Sequence, residues 1–543
     1  MAQKFYLATF GCRVNQADSA AIKKRLEDRG LRQSEDIQEC SLIIVNSCTV
    51  THRGDQQVRQ LTRKLRRENP AARLIMTGCY AQRDPRAIAE MNEVDLVLGN
   101  SEKERIGDFV RGQLSVVRGQ LTSPSSAGQQ VSRSTGLSSV ISHQSSVIGD
   151  SSPNPQSAIP NPQSEIPHSA IRNPQSEIPQ SAIRNPQSEI PHSAFPNPQS
   201  EIPQSAIGQS AIRIPHSLPL PSYFGSSKIF VSDLSRETEI EVQPATPLEG
   251  KTRPFVKIQE GCDSRCSYCI VPFVRGAGRS VPPESVLAQA RDLVGAGYKE
   301  IVLTGIHLGS YGNKLKPRLK LEELIRRLLD LPGLEQLRLS SIEPMRFSPR
   351  LIDLAVEDSR LAPHFHLPLQ SSSDLLLRAM NRTYHKAQYA GLICEINRRI
   401  PHASIGADVM VGFPGESEQL FEETRQFIKE MPFSYLHVFP FSRRSGTVAA
   451  EMPNQVEESE KSRRVEILRR ISGEKLRAFE DRFLGASLRA LVLRERERGY
   501  WTGLTGNYIK LKIPVECAQA NEFVSVRLER SGEALYGVPI YIE

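Results

Sequence analysis

The sequence predicts an α/β protein with three folded parts: an N-terminal parallel α/β sheet domain, a partial (β/α)6 barrel and a small C-terminal all-β barrel. Two patterns lead to this prediction. Short apolar runs rich in β-formers alternate with helical stretches through residues 1–113 and 255–440. The last 60 residues instead hold short strands separated by Gly-containing turns. A chain of 543 residues is also too long for one domain.

The charge and the cysteine content restrict the class of protein. The net charge of +8 is compatible with a polyanionic partner but does not require one. No run of ~18 apolar residues predicts a membrane span, and the N-terminus lacks the long apolar core of a signal peptide. Nine cysteines in such a chain favour metal or redox chemistry in a reducing cytoplasm over disulfides.

The first domain, residues 1–113, places three cysteines directly after predicted strands. The strands are expected at 4–9, 42–46, 73–77 and 94–98, with helices at 18–29, 55–67 and 85–91. Cys12, Cys48 and Cys79 each follow a strand, and the carboxyl ends of parallel strands share one edge of a sheet. The three thiols are therefore expected to converge on one metal centre. The alternative is three buried core cysteines, the interpretation given to Cys40, Cys394 and Cys517.

Residues 114–226 form a low-complexity insert dominated by Ser, Pro, Gln, Ile and Ala. The motif Asn-Pro-Gln-Ser-Glu-Ile-Pro recurs from Asn161, Asn173, Asn185 and Asn197. Each unit offers little apolar area against an ordering cost of ~1–2 kcal/mol per residue, and its prolines block helix and central strand. The insert is predicted to be disordered and to carry no chemistry; the alternative is a partner-binding role.

The central domain, residues 227–483, has the pattern of six β/α units. Strands are expected at 255–258, 300–304, 336–340, 364–368, 404–411 and 434–439, and helices at 283–296, 321–331, 387–399 and 417–430. In such barrels the functional residues lie at the carboxyl ends of the strands.

A cysteine loop follows the first of these strands. Cys262, Cys266 and Cys269 stand within eight residues, and no fourth cysteine is near. A closed zinc site takes four ligands, whereas three thiolates around a four-iron cube leave one iron open for a ligand. The alternative is three free or zinc-bound thiols.

These motifs resemble two related groups of enzymes. The loop from Gly261 to Cys269 resembles that of the radical S-adenosylmethionine enzymes. The segments 11–16, 45–50 and 77–80 resemble the N-terminal domain of the methylthiotransferase family. The resemblance implies a [4Fe-4S] cluster on Cys262, Cys266 and Cys269 that binds S-adenosylmethionine and cleaves it to a 5′-deoxyadenosyl radical. It also implies a second [4Fe-4S] cluster on Cys12, Cys48 and Cys79 that carries the sulfur.

The resemblance also implies cofactor contacts along the rim of the barrel: Tyr268 beside the adenine, Thr304 and Gly305 at the amino group, Glu343 near ribose or amino groups, and Gly412 in a turn beside the adenine. His366 and Gln370 are further rim candidates. No catalytic residue is assigned beyond the cluster-bound cofactor.

The C-terminal part consists of a charged helix, 456–482, and a small barrel, 484–543. The barrel resembles the TRAM module, which binds RNA in many methylthiotransferases. Aromatic and basic side chains there suit stacked bases and phosphates; they are Tyr500, Trp501, Tyr508, Lys510 and Lys512.

Family substrates are a modified adenosine of tRNA or an aspartate of a ribosomal protein. The segment 300–312 resembles the branch that acts on N6-threonylcarbamoyladenosine, because Ile306-His307 stand where the isopentenyladenosine branch has Gln-Asn. The expected activity is methylthio transfer to C2 of that nucleoside at position 37 of tRNA. Alternatives are the isopentenyl nucleoside, the ribosomal aspartate, or a non-catalytic iron–sulfur RNA-binding protein. Expected partners are the tRNA anticodon stem-loop and an electron donor of flavodoxin or ferredoxin type, with the chain a monomer in the cytoplasm and no membrane partner.

Overall fold

The computed structural model describes residues 3–114, 228–240, 242 and 250–540. Apart from Leu114, the insert predicted at 114–226 lies outside these residues. The rest has the predicted fold class, with a parallel N-terminal sheet, a partial barrel and a closed C-terminal barrel. Within the described residues, no helix combines the length and apolar character needed to cross a membrane.

The first sheet is parallel throughout, with its strands in the order β2-β1-β3-β4-β5-β6. Its strands are β1 (Lys4–Thr9), β2 (Arg32–Gln33), β3 (Leu42–Ser47), β4 (Arg73–Gly78), β5 (Leu96–Leu98) and β6 (Ile229–Phe230). Its helices are α1 (Arg13–Glu27), α2 (His52–Glu68), α3 (Cys79–Arg83), α4 (Pro85–Ala89) and α5 (Ile106–Leu114). Strand β6 returns to this sheet after the insert, so the chain leaves and re-enters the sheet at one edge.

The central strands form two sheets, β10-β9-β7-β8 and β11-β12-β13, that together make the partial barrel. The strands are β7 (Phe255–Glu260), β8 (Arg279–Ser280), β9 (Glu300–Gly305), β10 (Gln336–Leu339), β11 (His364–His366), β12 (Ser404–Val411) and β13 (Tyr435–Pro440). The helices are α6 (Val271–Arg275), α7 (Pro283–Gly295), α8 (Leu321–Leu329), α9 (Arg350–Glu357), α10 (Asp374–Ala379), α11 (Lys386–Arg399), α12 (Glu418–Glu430), α13 (Val448–Glu451) and α14 (Glu458–Asp481).

One continuous apolar core lies between these strands and their helices. Its members follow helical spacing, as in α8, where the buried residues are Leu321, Leu324, Ile325, Leu328 and Leu329. The core fixes the strands, and their carboxyl ends are free to carry polar residues.

The C-terminal barrel is closed, in the order β14-β15-β16-β18-β17. Its strands are β14 (Ser487–Glu497), β15 (Tyr500–Thr505), β16 (Lys510–Pro514), β17 (Phe523–Ser531) and β18 (Ala534–Pro539). Tyr508, predicted to stack on RNA, instead stacks on His364 of the central barrel, with ring centroids 4.2 Å apart. The reason is that the turn between β15 and β16 packs against the central barrel.

The cysteines outside the two triads differ in environment. Cys40 is buried, as predicted. The prediction that Cys394 and Cys517 are core residues is wrong for Cys394, which is exposed, while Cys517 is only partly buried. Helix α11 buries the face of Tyr389, Ile393 and Ile396, and Cys394 lies beside that face.

Arg338 joins the C-terminal barrel to the central one. Its Nε donates to Glu300 Oε1 at 2.7 Å, and its two terminal nitrogens donate to the carbonyl oxygens of Gly506 and Thr505 at 2.8 and 3.1 Å. Both charged side chains are fully buried. We expect Arg338→Met to cost about 2 kcal/mol at this contact, because a buried carboxylate and two carbonyls lose their donor.

The measurement is amide hydrogen exchange, which is expected to accelerate in β14–β18 and around Glu300 while the first sheet keeps its protection. Arg360→Met is the control, because Arg360 is part-exposed and pairs with Asp358, two residues before it in the chain. Unchanged exchange in the C-terminal barrel of the Arg338 variant would contradict the role given to this residue.

Candidate active site

The first cysteine triad lies at the carboxyl edge of the N-terminal sheet. Cys12 caps the start of α1, Cys48 follows β3 directly, and Cys79 is the first residue of α3 after β4. Because β1, β3 and β4 are neighbours, the three thiols come together, and those of Cys12 and Cys79 act electrostatically on that of Cys48. Removal from water raises the pKa of Cys48 to about 12, and the neighbouring thiols add to this shift.

A glycine permits this close approach. Gly11 has φ +101°, a conformation that favours glycine, and a Cβ placed on it would lie 2.9 Å from Cys48 Sγ. Behind the triad, the Asn15 side-chain amide donates to the carbonyl oxygens of Phe10 and Ser47 at 2.7 and 3.0 Å. The backbone around Cys12 and Cys48 is therefore fixed by α1.

The second triad occupies the loop after β7. The Ser264 N–H donates to Cys262 Sγ at 3.4 Å, and Arg382 donates to Cys266 Sγ at 3.3 Å. His307 Nδ1 lies 3.5 Å from Cys262 Sγ. Burial raises the pKa of Cys269 to about 12, with Cys266 the next contributor. The loop thus gathers its thiols beside one cation and one imidazole.

The spacing of the thiols distinguishes a single ion from a cluster. Thiolates around one tetrahedral zinc lie about 4 Å apart. Among the residues that the structure describes, the one group of three His, Cys, Asp or Glu ligand atoms within 4.8 Å of one another is His366, Asp408 and His437. Neither cysteine triad is that compact. Thiolates around a four-iron cube lie farther apart than thiolates around one zinc ion, so the looser triads are compatible with a cube.

Four of the five predicted cofactor residues lie on the second triad's loop or on segments that adjoin it. Glu343 pairs with Arg382, the residue that donates to Cys266. Tyr268 packs edge-on against Phe413, with centroids 6.5 Å apart. Thr304 and Gly305 end β9.

The fifth, Gly412, has φ +72° at the turn after β12, where its N–H donates to Glu416 and the Lys461 stem packs beside it. Sequence reasoning missed Gln259, which holds two loops of the site. Its amide nitrogen donates to the carbonyl oxygens of Glu260 and Gly261, and its Oε1 accepts from the His307 N–H at 2.7 Å. A Cβ at Gly305 would lie 2.9 Å from Gln259 Cβ, so glycine is required there.

Several buried polar atoms on the rim have no hydrogen-bond partner among the described residues. They are His307 Nε2, Ser340 Oγ, Gln370 Oε1 and Arg382 Nε. Buried polar groups are normally paired, and a cluster of unpaired ones indicates a place for a polar ligand. Gln370 also has φ +64°, a conformation uncommon outside glycine. The site therefore fits a polar cofactor such as S-adenosylmethionine.

His366 belongs to a separate polar group inside the barrel. Its Nε2 lies 3.0 Å from Asp408 Oδ1, and its Nδ1 lies 3.1 Å from the Tyr435 hydroxyl. His437 Nδ1 contacts the same Asp408 oxygen at 3.3 Å. Burial by itself would raise the pKa of Asp408, but the two imidazoles outweigh it and hold the pKa well below its usual range.

Arg275 connects the two triads, and sequence reasoning did not identify it. It lies at the end of α6, six residues after Cys269, yet its Nε donates to Cys79 Sγ at 3.1 Å. It also binds Asn15 of α1. The available signal was that Arg275 is a cation in the short segment directly after the cysteine loop.

A buried charge network surrounds this contact. Lys103 and Lys257 donate to Asp18 at 2.6 and 2.8 Å. Arg275 donates to Asp18 at 2.8 Å and to Glu260 at 3.0 Å. All of these side chains are at least nine-tenths buried. Asp18 and Lys103 come from the first domain and the others from the central barrel, so the network joins the two cysteine sites.

The comparisons with known proteins match both halves of this site. Residues 4–99 match the Uncharacterized protein family UPF0004, and residues 256–428 match the Radical SAM superfamily. The Threonylcarbamoyladenosine tRNA methylthiotransferase MtaB of Aquifex aeolicus (strain VF5) is 30% identical over 509 residues, covering 94% of this chain and 96% of that protein. The chain belongs to the MtaB family of radical S-adenosylmethionine methylthiotransferases.

This methylthiotransferase family assignment confirms the resemblance drawn from the two sets of cysteine motifs. The tRNA-2-methylthio-N(6)-dimethylallyladenosine synthase of Pelotomaculum thermopropionicum is 27% identical over 507 residues, covering 92% of this chain and 88% of that protein. Among solved structures, the radical S-adenosylmethionine methyltransferase TsrM from Kitasatospora setae aligns with a TM-score of 0.47 at 11% identity, over 81% of this chain and 73% of that chain.

Proposed function

We propose that this chain is a tRNA methylthiotransferase that adds a methylthio group to C2 of N6-threonylcarbamoyladenosine at position 37. Family membership supports the reaction and the nucleoside. The observation that carries the proposal is the Arg275 contact, because it joins the loop of one cysteine triad to a thiol of the other. Methylthio transfer needs both sites to face one substrate.

The two triads are the proposed cluster ligands. Cys262, Cys266 and Cys269 would hold the cluster that binds S-adenosylmethionine, and Cys12, Cys48 and Cys79 would hold the second. When bound, these groups supply the one-electron chemistry, the methyl group and the sulfur that the reaction requires. The sequence prediction of two [4Fe-4S] clusters and S-adenosylmethionine agrees with family membership.

The chain's own residues position these groups and exclude water. Arg382 places a guanidinium between Cys266 and Glu343. Arg275 does the same between Cys79 and the buried carboxylates. Cations donating to thiolate sulfur favour the charged form that binds iron. Tyr268, Thr304, Gly305, Glu343 and Gly412 are the proposed contacts of S-adenosylmethionine.

The partners follow from this reaction. The substrate region is the anticodon stem-loop of tRNA, which the C-terminal barrel would help to bind. A flavodoxin- or ferredoxin-like protein would supply the electron. We place the reaction in the cytoplasm, where tRNA is found and thiols stay reduced, and expect a monomer.

The test is nucleoside mass spectrometry of tRNA from a deficient host that expresses this chain. We expect the 2-methylthio derivative of N6-threonylcarbamoyladenosine to appear. Gain of methylthio only on the isopentenyl nucleoside would show that the nucleoside assignment is wrong, and gain on neither would overturn the proposed function.

Variants of the two triads separate the two roles. Replacing Cys12, Cys48 and Cys79 together by alanine is expected to abolish methylthio transfer while 5′-deoxyadenosine still forms under reducing anaerobic conditions. Replacing Cys262, Cys266 and Cys269 is expected to abolish both. Cys40→Ala is the control, because Cys40 is buried in the same domain but belongs to neither triad. Loss of 5′-deoxyadenosine in the first variant, with its remaining cluster intact, would contradict the division of roles.

A further inference from the structure

A cavity of about 190 Å³ lies where the three folded parts meet. Its walls include Arg13 from the first turn of α1, Arg253 and Phe255 at the start of β7, and Glu495 and Tyr508 of the C-terminal barrel. By the same measure one water molecule needs about 10–15 Å³, so the space holds a group of several heavy atoms. We call it the junction cavity.

The described residues that line the junction cavity carry an excess of positive charge. Arg13 has no hydrogen bond or ion pair to any residue that the structure describes. Arg253 Nη1 lies 3.4 Å from Glu300 Oε1, but the same oxygen also pairs with Arg338 Nε at the shorter distance of 2.7 Å. Among the described residues on the wall, Glu495 is the one carboxylate, and it lies 3.8 Å from Lys251. In the part of the lining that the structure describes, three cations therefore stand against one acid.

The pKa of Tyr508 reflects the same excess of positive charge. Burial by itself would raise the pKa of this phenol, but nearby cations, Arg13 and Arg253 first among them, outweigh burial and lower the pKa. Tyr508 also has φ +70°, and its ring stacks on His364. Such conformations in residues other than glycine cost about 1–3 kcal/mol and are concentrated at functional sites.

The position of Arg13 ties the cavity to the reaction. Arg13 directly follows Cys12, a proposed ligand of the sulfur-carrying cluster, and is the first residue of α1. The first turn of this helix contains no acidic residue. A cation at the positive end of a helix dipole is unfavourable unless an anion approaches it. The missing anion is thus expected at the N-terminus of α1, whose first residue follows a cysteine of the first triad in the sequence.

We propose that the junction cavity binds the carboxylate of the N6-threonylcarbamoyl group of the substrate nucleoside, with Arg13 as its main partner. This inference rests on the proposed function. The threonyl group ends in a carboxylate, whereas the dimethylallyl group of the nucleoside named for the Pelotomaculum thermopropionicum synthase is a neutral hydrocarbon. An unpaired arginine distinguishes the two nucleosides, because it gains a charge-assisted hydrogen bond from the threonyl carboxylate. Beside the dimethylallyl group it stays desolvated and unpaired.

The experiment uses the loaded enzyme and two anticodon stem-loops. One carries N6-threonylcarbamoyladenosine, and the other carries its carboxamide, in which the threonyl carboxylate is neutral. We expect the wild-type chain to prefer the carboxylate by about 10- to 100-fold in kcat/KM and in Kd, as for the loss of a hydrogen bond to a charged group. For the carboxylate stem-loop, Arg13→Gln is expected to lower kcat/KM and raise Kd by the same factor. Both quantities should stay nearly unchanged for the carboxamide stem-loop.

Controls keep the outcomes distinct. Arg67→Gln makes the same charge change on an exposed helix end away from the cavity and should leave the preference intact. Iron content and 5′-deoxyadenosine formation show whether Arg13→Gln still loads its clusters, and Arg13→Lys should recover part of the preference if charge is what matters.

Two results would overturn the inference. If the wild type has the same kcat/KM and Kd for both stem-loops and Arg13→Gln weakens the binding of both, the cavity binds an RNA phosphate instead. If Arg13→Gln changes cluster loading but not the preference, Arg13 serves the cluster. Failure of the wild type to modify either stem-loop would instead contradict the proposed function.

Discussion

Asp18→Asn is expected to lower the free energy of unfolding by about 3–5 kcal/mol, the usual cost of removing one partner from a buried ion pair. Asp18 is fully buried and accepts from Lys103, Lys257 and Arg275. Without the charge of Asp18, Glu260 would be the one remaining carboxylate of this network and would face three buried cations. Denaturant unfolding of the anaerobically purified chain measures the change.

The pH dependence provides a second measurement on the same residue. Burial by itself would raise the pKa of Asp18, but the three surrounding cations outweigh it and hold the pKa well below its usual range. The stabilisation by Asp18 is therefore complete above pH ~4, the value for an unfolded Asp, and is lost as pH falls through the depressed folded pKa. The difference between wild type and Asp18→Asn should shrink over that acid range.

The control is Asp28→Asn, because Asp28 pairs with Lys24 on the exposed side of the same helix. Solvent screens such a pair, so no measurable change is expected. If both variants unfold like the wild type, the buried network does not hold the two domains together.

The sequence was sufficient to predict the parts of the site that depend on local pattern. Cysteines that follow apolar β-forming runs lie at the carboxyl ends of β1, β3 and β4, because parallel strands share that edge. The loop from Cys262 to Cys269 follows β7 for the same reason. Strand ends and metal-ligand spacing are encoded within a few residues, so one sequence shows them.

Contacts between distant segments could not be predicted in this way. Arg275 and Asp18 are 257 positions apart in the chain, and nothing local to either shows that they meet. Strand β6 has only two residues, too few for a period to appear, and it pairs with β5 across the insert. Cys394 was misplaced because a single residue beside the buried face of a helix cannot be assigned from composition alone.

Arg275→Met is expected to remove iron from the first triad while the second keeps its own. The guanidinium donates to Cys79 Sγ and to Asn15, and methionine cannot replace either bond. Loss of a residue that supports a metal ligand costs about 10–100-fold in metal affinity. After purification and desalting, the variant should therefore retain roughly half the iron of the wild type, as expected when one of two equal clusters is lost.

Arg444→Met separates this effect from general weakening of the domain contact. Arg444 is equally buried and also reaches the first domain, where it donates to Asp55 at 2.7 Å and Thr49 at 2.6 Å. Within the described part of the chain it has no hydrogen bond to a thiol. We expect both variants to unfold more easily and only the Arg275 variant to lose iron. Equal iron in the two would show that the contacts of Arg275 with Cys79 and Asn15 do not hold the first cluster.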